Sequence, residues 1–180
     1  MQRASTTVVA LVGADTAAAL DRLDGRANVR AVVIDTGRLA LDRAVEATTV
    51  AAGAHIPFLV HDADPLAVVA DAWVRLFDES GPVGELEVAS SETLARWRSG
   101  ALELPDSYLV LDPELLSATR RHWYLGVLHA ASRHRVVPAP AGSIATVLGS
   151  LASGRWWPPM DELVSGLDRA VPDRAGLPAA

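Results

Sequence analysis

Aspartates stand directly behind most of the short apolar runs in this chain. Gly13-Ala14-Asp15 follows the run 7–12, Asp35-Thr36-Gly37 follows 29–34, His61-Asp62-Ala63-Asp64 follows 56–60, and Asp112 follows 108–111. A fifth run, 83–89, is followed by Ser90-Ser91 and lacks an acid. Gathered carboxylates repel one another, and a hard cation such as Mg²⁺ is a common reason to gather them. Such an ion neutralises a phosphoryl group or activates a water. The pattern therefore points to an acidic rim of Asp15, Asp35, Asp62 and Asp64, flanked by Thr36 and His61, with Mg²⁺ as the cation it would take. The competing explanation is capping, because aspartate is a preferred helix N-cap and each strand-to-helix junction needs one. Capping accounts for Asp15, Asp64 and Asp112. It accounts least well for Asp35, since no helix is expected before about Leu39.

A second group is basic. Arg120, Arg121, His122, His129, Arg133, His134 and Arg135 fall together, with no acid between Glu114 and Asp161, in a chain of formal charge -6. Arginine forks onto carboxylates and phosphates, so Arg120, Arg121, Arg133 and Arg135 are candidates for an acidic partner or another anion. A solvated helix face explains the same residues without a ligand. Third is Gly154-Arg155-Trp156-Trp157-Pro158-Pro159. Two adjacent tryptophans cannot both point inward easily, and Trp and Arg are enriched at interface hot spots. Arg155, Trp156 and Trp157 are thus partner candidates, against the alternative that one tryptophan fills the core. Trp73, Trp97 and Trp123 are expected in helices facing the core.

Several chemistries are excluded. The chain has no lysine, so Schiff-base and P-loop lysines are ruled out. It has no cysteine, hence no disulfide, which fits a reducing compartment. No Gly-x-Gly-x-x-Gly follows the first apolar run, and no Gly-x-Ser-x-Gly occurs. The histidine spacings do not suit zinc. No stretch approaches the ~20 apolar residues of a membrane span, and the first apolar run reads as a strand and not a signal peptide. A cytoplasmic location is the expectation. The net negative charge argues against bulk nucleic-acid binding.

The elements that must hold these residues follow from periodicity. Continuous β-branched runs at 7–12, 29–34, 56–60, 108–111 and 135–137 suit strands buried on both faces of a parallel sheet. Val83 to Ala89 alternates apolar and charged residues, which predicts a half-exposed edge strand, with Ser90 or Ser91 capping a short helix after it. Helical spacing predicts helices over 17–23, 39–52, 65–77, 114–132, 143–151 and 159–170. Alternating strands and helices with short links define an α/β domain: a doubly wound, mostly parallel sheet of about five or six strands with helices on both faces, a flavodoxin/receiver-like three-layer sandwich. Residues 1–172 are expected to form one domain and 173–180 a loose tail.

Residues 31–60, from Ala31-Val32-Val33-Ile34-Asp35 to Ile56-Pro57-Phe58-Leu59-Val60, resemble part of a response-regulator receiver domain. The resemblance implies a phosphoacceptor role for Asp35. The family's acidic pair reduces to Asp15 and its lysine is missing, so only the shape carries over. Val32-Val33-Ile34-Asp35-Thr36-Gly37 also resembles the Walker B strand of a ParA/MinD-type ATPase, but Gly13-Ala14-Asp15-Thr16 is no phosphate-binding loop. The combined expectation is a non-catalytic regulatory or protein-interaction domain with a protein partner, no membrane, and homo-oligomerisation left open. The alternative is a Mg²⁺-dependent hydrolase, phosphoryl-transfer enzyme or small-ligand binder using the aspartate rim.

Overall fold

The computed structural model describes residues 6–78, 81–151 and 156–172. Arg155 and the tail 173–180 lie outside the described residues. Strands β1 (Thr7–Gly13), β2 (Val29–Val32), β3 (Phe58–His61), β4 (Ser107–Leu111) and β5 (Val136–Ala139) form one sheet, ordered β2-β3-β1-β4-β5. Every pairing is parallel. The doubly wound α/β class thus holds. Relative to the 2-1-3-4-5 order of flavodoxin-like proteins, β1 and β3 exchange places, so the receiver resemblance does not extend to strand order.

The order dictates where the helices go. From β1 the chain steps outward to the edge strand β2, and every later step runs the opposite way across the sheet. Right-handed crossovers then put the first connection on one face and the later ones on the other. Helix α1 (Thr16–Asp21) covers the first face, joined by α7 (Ile144–Gly149) after β5, around Val9, Leu11, Leu109 and Leu111. The second face carries α2 (Ala40–Ala52), α3 (Ala67–Phe77), α4 (Val83–Arg98) and a long helical segment after β4. There Ala10, Val12, Tyr108 and Val110 meet Val69, Trp73, Leu86, Trp123 and Leu128. Alternate residues of β1 and β4 therefore supply both cores, as continuous apolar strands should.

Four expectations are corrected. Residues 83–89 are not an edge strand but the first half of the 16-residue helix α4, and Ser90 and Ser91 lie inside it. Its buried residues Leu86, Ala89 and Thr93 follow the three- and four-residue spacing of a helix face, while Val83 and Val88 are exposed. A seven-residue stretch is too short to separate the two periods. Trp97, expected in the core, is 36% exposed at the far end of that helix. The single helix expected over 114–132 begins as a 3₁₀ turn (Pro113–Leu115). It then runs through α5 (Ala118–His122), a π-helical stretch (Trp123–Leu128) and α6 (His129–Ala131). The last helix is also shorter than expected, α8 (Met160–Val164) with a 3₁₀ turn at Leu167–Arg169.

Candidate functional site

With all strands parallel, their carboxyl ends form one rim, and β1 is the switch point, because its exit leads to one face and those of β3 and β4 to the other. The backbone is tight there. Gly13 has φ +110°, and a Cβ on it would lie 2.3 Å from the Leu111 carbonyl oxygen, so only glycine lets β1 leave against β4. Asp15 (φ 52°) and Asp112 (φ 40°) adopt the left-handed region on either side of that contact.

The rim aspartates do not converge. Asp15 is exposed and its side chain does not cap α1, contrary to the capping explanation. Asp35 lies three residues beyond the end of the edge strand β2, which is two strands away from β1. It accepts the Gly37 N–H at 2.9 Å and lies 3.5 Å from Arg38, a local turn that explains the aspartate capping left open. Thr36 beside it is exposed. Asp62 turns inward: its side chain is 6% exposed, accepts the Ile34 N–H at 2.8 Å and pairs with Arg43 at 3.1 Å. Asp112 accepts the Ala141 N–H at 3.1 Å, tying β4 to the exit of β5. His61 is buried beneath α2, where it lines, with Thr48 and Glu103, a void of about 10 Å³. Among the described residues no group of three or more His, Cys, Asp or Glu side chains is placed to hold a metal ion.

Asp64 behaves differently and forms the polar centre of the second face. Its Oδ1 accepts the Leu66 N–H (2.8 Å), where the chain turns into α3, and the Tyr108 hydroxyl (3.0 Å); its Oδ2 accepts the Tyr124 hydroxyl (2.9 Å). Burial raises the Asp64 carboxyl above the usual aspartate range, against the pull of these three donors and of Arg120. Burial, and then the charge of Asp64, push both tyrosines well above their ordinary value. Arg120 bonds to Asp71 on α3. Its own partial burial would lower it, but the Asp71 carboxylate prevails and raises it. Tyr124 reaches Asp64 from the π-helical stretch, whose extra residue per turn re-aims its side chains. Gly126 there packs against His122, whose ring stacks on Trp73 with centroids 6.2 Å apart.

The arginine and tryptophan candidates separate into structural and exposed sets. Arg120 belongs to the Asp71 and Asp64 network and is not a free anion site. Arg121 is half-buried and Arg133 exposed. Arg135 donates to the Asp106 carbonyl at 2.6 Å, and its guanidinium lies 4.2 Å from the centre of the Trp156 ring. Trp156 is 49% exposed, whereas Trp157 is buried, donates to the Pro105 carbonyl at 2.8 Å and meets Tyr108 edge-on. One tryptophan fills the core and the other lies outside.

Sequence reasoning missed a surface feature of the second face. A groove of about 510 Å³ lies between α3 and α4, with Val68, Ala72, Val88 and Ala89 among its lining. Its polar lining includes Asp71, Arg75, Glu85 and Glu92, with Arg75 bonded to Glu85 at 2.9 Å. Reading 83–89 as a strand hid it, because only a helix there can form the second wall.

The fold and these surfaces define a doubly wound α/β domain whose rim aspartates are mostly engaged with their own backbone. The chain matches no protein family, no curated protein and no solved structure.

Proposed function

We propose that this chain is a non-catalytic protein-interaction domain of regulatory type, working in the cytoplasm. The observation that carries the reading is the open groove between α3 and α4, whose lining mixes apolar Val68, Pro82 and Val88 with charged Asp71, Arg75, Glu85 and Glu92. Exposed apolar surface bounded by polar residues is characteristic of interaction sites. The engagement of Asp35, Asp62, Asp64 and Asp112 with backbone N–H groups supports it, since these carboxylates serve the fold. No helix among the described residues is long and apolar enough to cross a membrane.

A second reading, a Mg²⁺-dependent enzyme or ligand binder at the rim, is favoured by one observation. Left-handed backbone at Asp15 and Asp112 stores strain at the switch point, where such folds bind ligands. Thermal unfolding read from tryptophan fluorescence, with and without millimolar Mg²⁺ or Mn²⁺, separates the two. A cation at 100 times its dissociation constant would stabilise the fold by about 2.7 kcal/mol. The interaction reading expects no shift and no turnover of phosphate esters. A shift of several degrees abolished by Asp15→Asn would replace it with the enzyme.

A further inference from the structure

We infer that the α3–α4 groove is the docking site for a basic amphipathic helix of a partner protein. The inference rests on the interaction reading above and names the partner's chemistry. Among the described residues, three acids, Asp71, Glu85 and Glu92, and one base, Arg75, line the groove. Arg75 pairs with Glu85 and Arg120 with Asp71, so both cations near the groove are engaged and the acids exceed them by Glu92. Asp71 and Glu85 each keep nearly half of their side-chain surface exposed although paired, and Glu92 has no ion pair among the described residues. Glu87, exposed on the same helix, extends the negative field beyond the groove. In a chain of charge -6, a basic partner is attracted and an acidic one repelled.

The shape selects a helix. The groove follows helix α4 from Gly84 to Glu92, a wall of about 12 Å. The small residues Ala72, Gly84 and Ala89 open the groove between its larger neighbours, and a Cβ added at Gly84 would meet nothing within 4 Å. Apolar side chains at i, i+3/i+4 and i+7 of an incoming helix can lie against Val68, Pro82 and Val88 while its basic flank meets the acids. Val88, 58% exposed on α4, is the natural central contact.

The test uses the full chain and two fluorescein-labelled synthetic helical peptides with one leucine stripe, their polar faces carrying either Arg and Lys or Glu. Fluorescence anisotropy should show the basic peptide binding at least ~10-fold more tightly than the acidic one, a preference that weakens with salt. Gly84→Leu fills the groove in a helix position where glycine is disfavoured, so its Tm should not fall while binding drops at least ~10-fold. Glu92→Arg should weaken the basic peptide, and Arg30→Glu, on the exposed edge strand, should leave it unchanged. Equal binding of both peptides, no binding of either, or full binding by Gly84→Leu overturns the inference. So does a concentration-dependent dimer in sedimentation that Gly84→Leu abolishes, which assigns the groove to a second copy of this chain. These outcomes leave the broader interaction reading standing; only cation-dependent stabilisation with turnover removes that.

Discussion

Asp64 faces opposite demands: three donors favour its charge, and burial opposes it and prevails. The consequence can be read as a pH dependence. Folded Asp64 keeps its proton to higher pH than unfolded Asp64. Between the ordinary aspartate value, about 3.9, and its raised value, the folded state therefore binds more protons, so stability falls as pH rises. The acid-side contribution is complete below that window and lost above it. Denaturant unfolding of wild type and Asp64→Asn across acid to neutral pH isolates this residue, because the other carboxylates cancel in the difference. Wild-type stability minus that of the variant should decline with rising pH through the window; a flat difference would show that the donors win. The aspartates themselves were visible in the sequence as punctuation after apolar runs. Their partners were not: Tyr108 and Tyr124 are 44 and 60 residues from Asp64, a separation that only the tertiary fold closes.

Elements were legible where one period dominates. The strands announce themselves as continuous β-branched runs, and α2 and α3 by apolar stripes ending near Gly53 and Phe77. Helix α4 was hidden because its buried stripe is narrow, leaving Glu85, Glu87 and Val88 exposed to mimic alternation. The π-helical stretch gives no sequence signal beyond Gly126, which stands where a Cβ would come within 2.6 to 2.8 Å of the His122 ring. Gly126→Ala should therefore push His122 off Trp73. Overpacking costs about 1–3 kcal/mol and better helix propensity returns about 1, so a net loss of up to about 2 kcal/mol is expected. The measurements are chemical denaturation and tryptophan fluorescence, which should change because Trp73 loses its stacking partner. An unchanged spectrum with raised stability would mean that the ring moves freely.

At the scale of the molecule, the C-terminal described segment, residues 156–172, fastens the second face. Trp157 reaches back to Pro105 and Tyr108, and Trp73 donates to the Leu167 carbonyl at 2.9 Å. Trp157→Ala should cost about 3–5 kcal/mol, as a buried large-to-small change does. Trp156→Ala, at an exposed position, should stay within about 0.5 kcal/mol. Equal losses in thermal unfolding would contradict the division of labour between the two tryptophans. The sequence allowed one of the two tryptophans to fill the core but not which one, because both share one Pro-bounded loop and differ only in which way the backbone turns them.

The strand order also sets a timetable for synthesis. β1 is made first but is completed last on one side, since its neighbour β4 arrives about a hundred residues later; the contact between Val8 and Asp106 spans 98 positions. Until then the nascent chain can assemble only β2, β3 and β1, leaving the β-branched edge of β1 open. Such an edge is a template for pairing with another chain, and long-range closure of this kind is slow. The same strand that anchors the finished sheet is thus its point of exposure while the protein is being born.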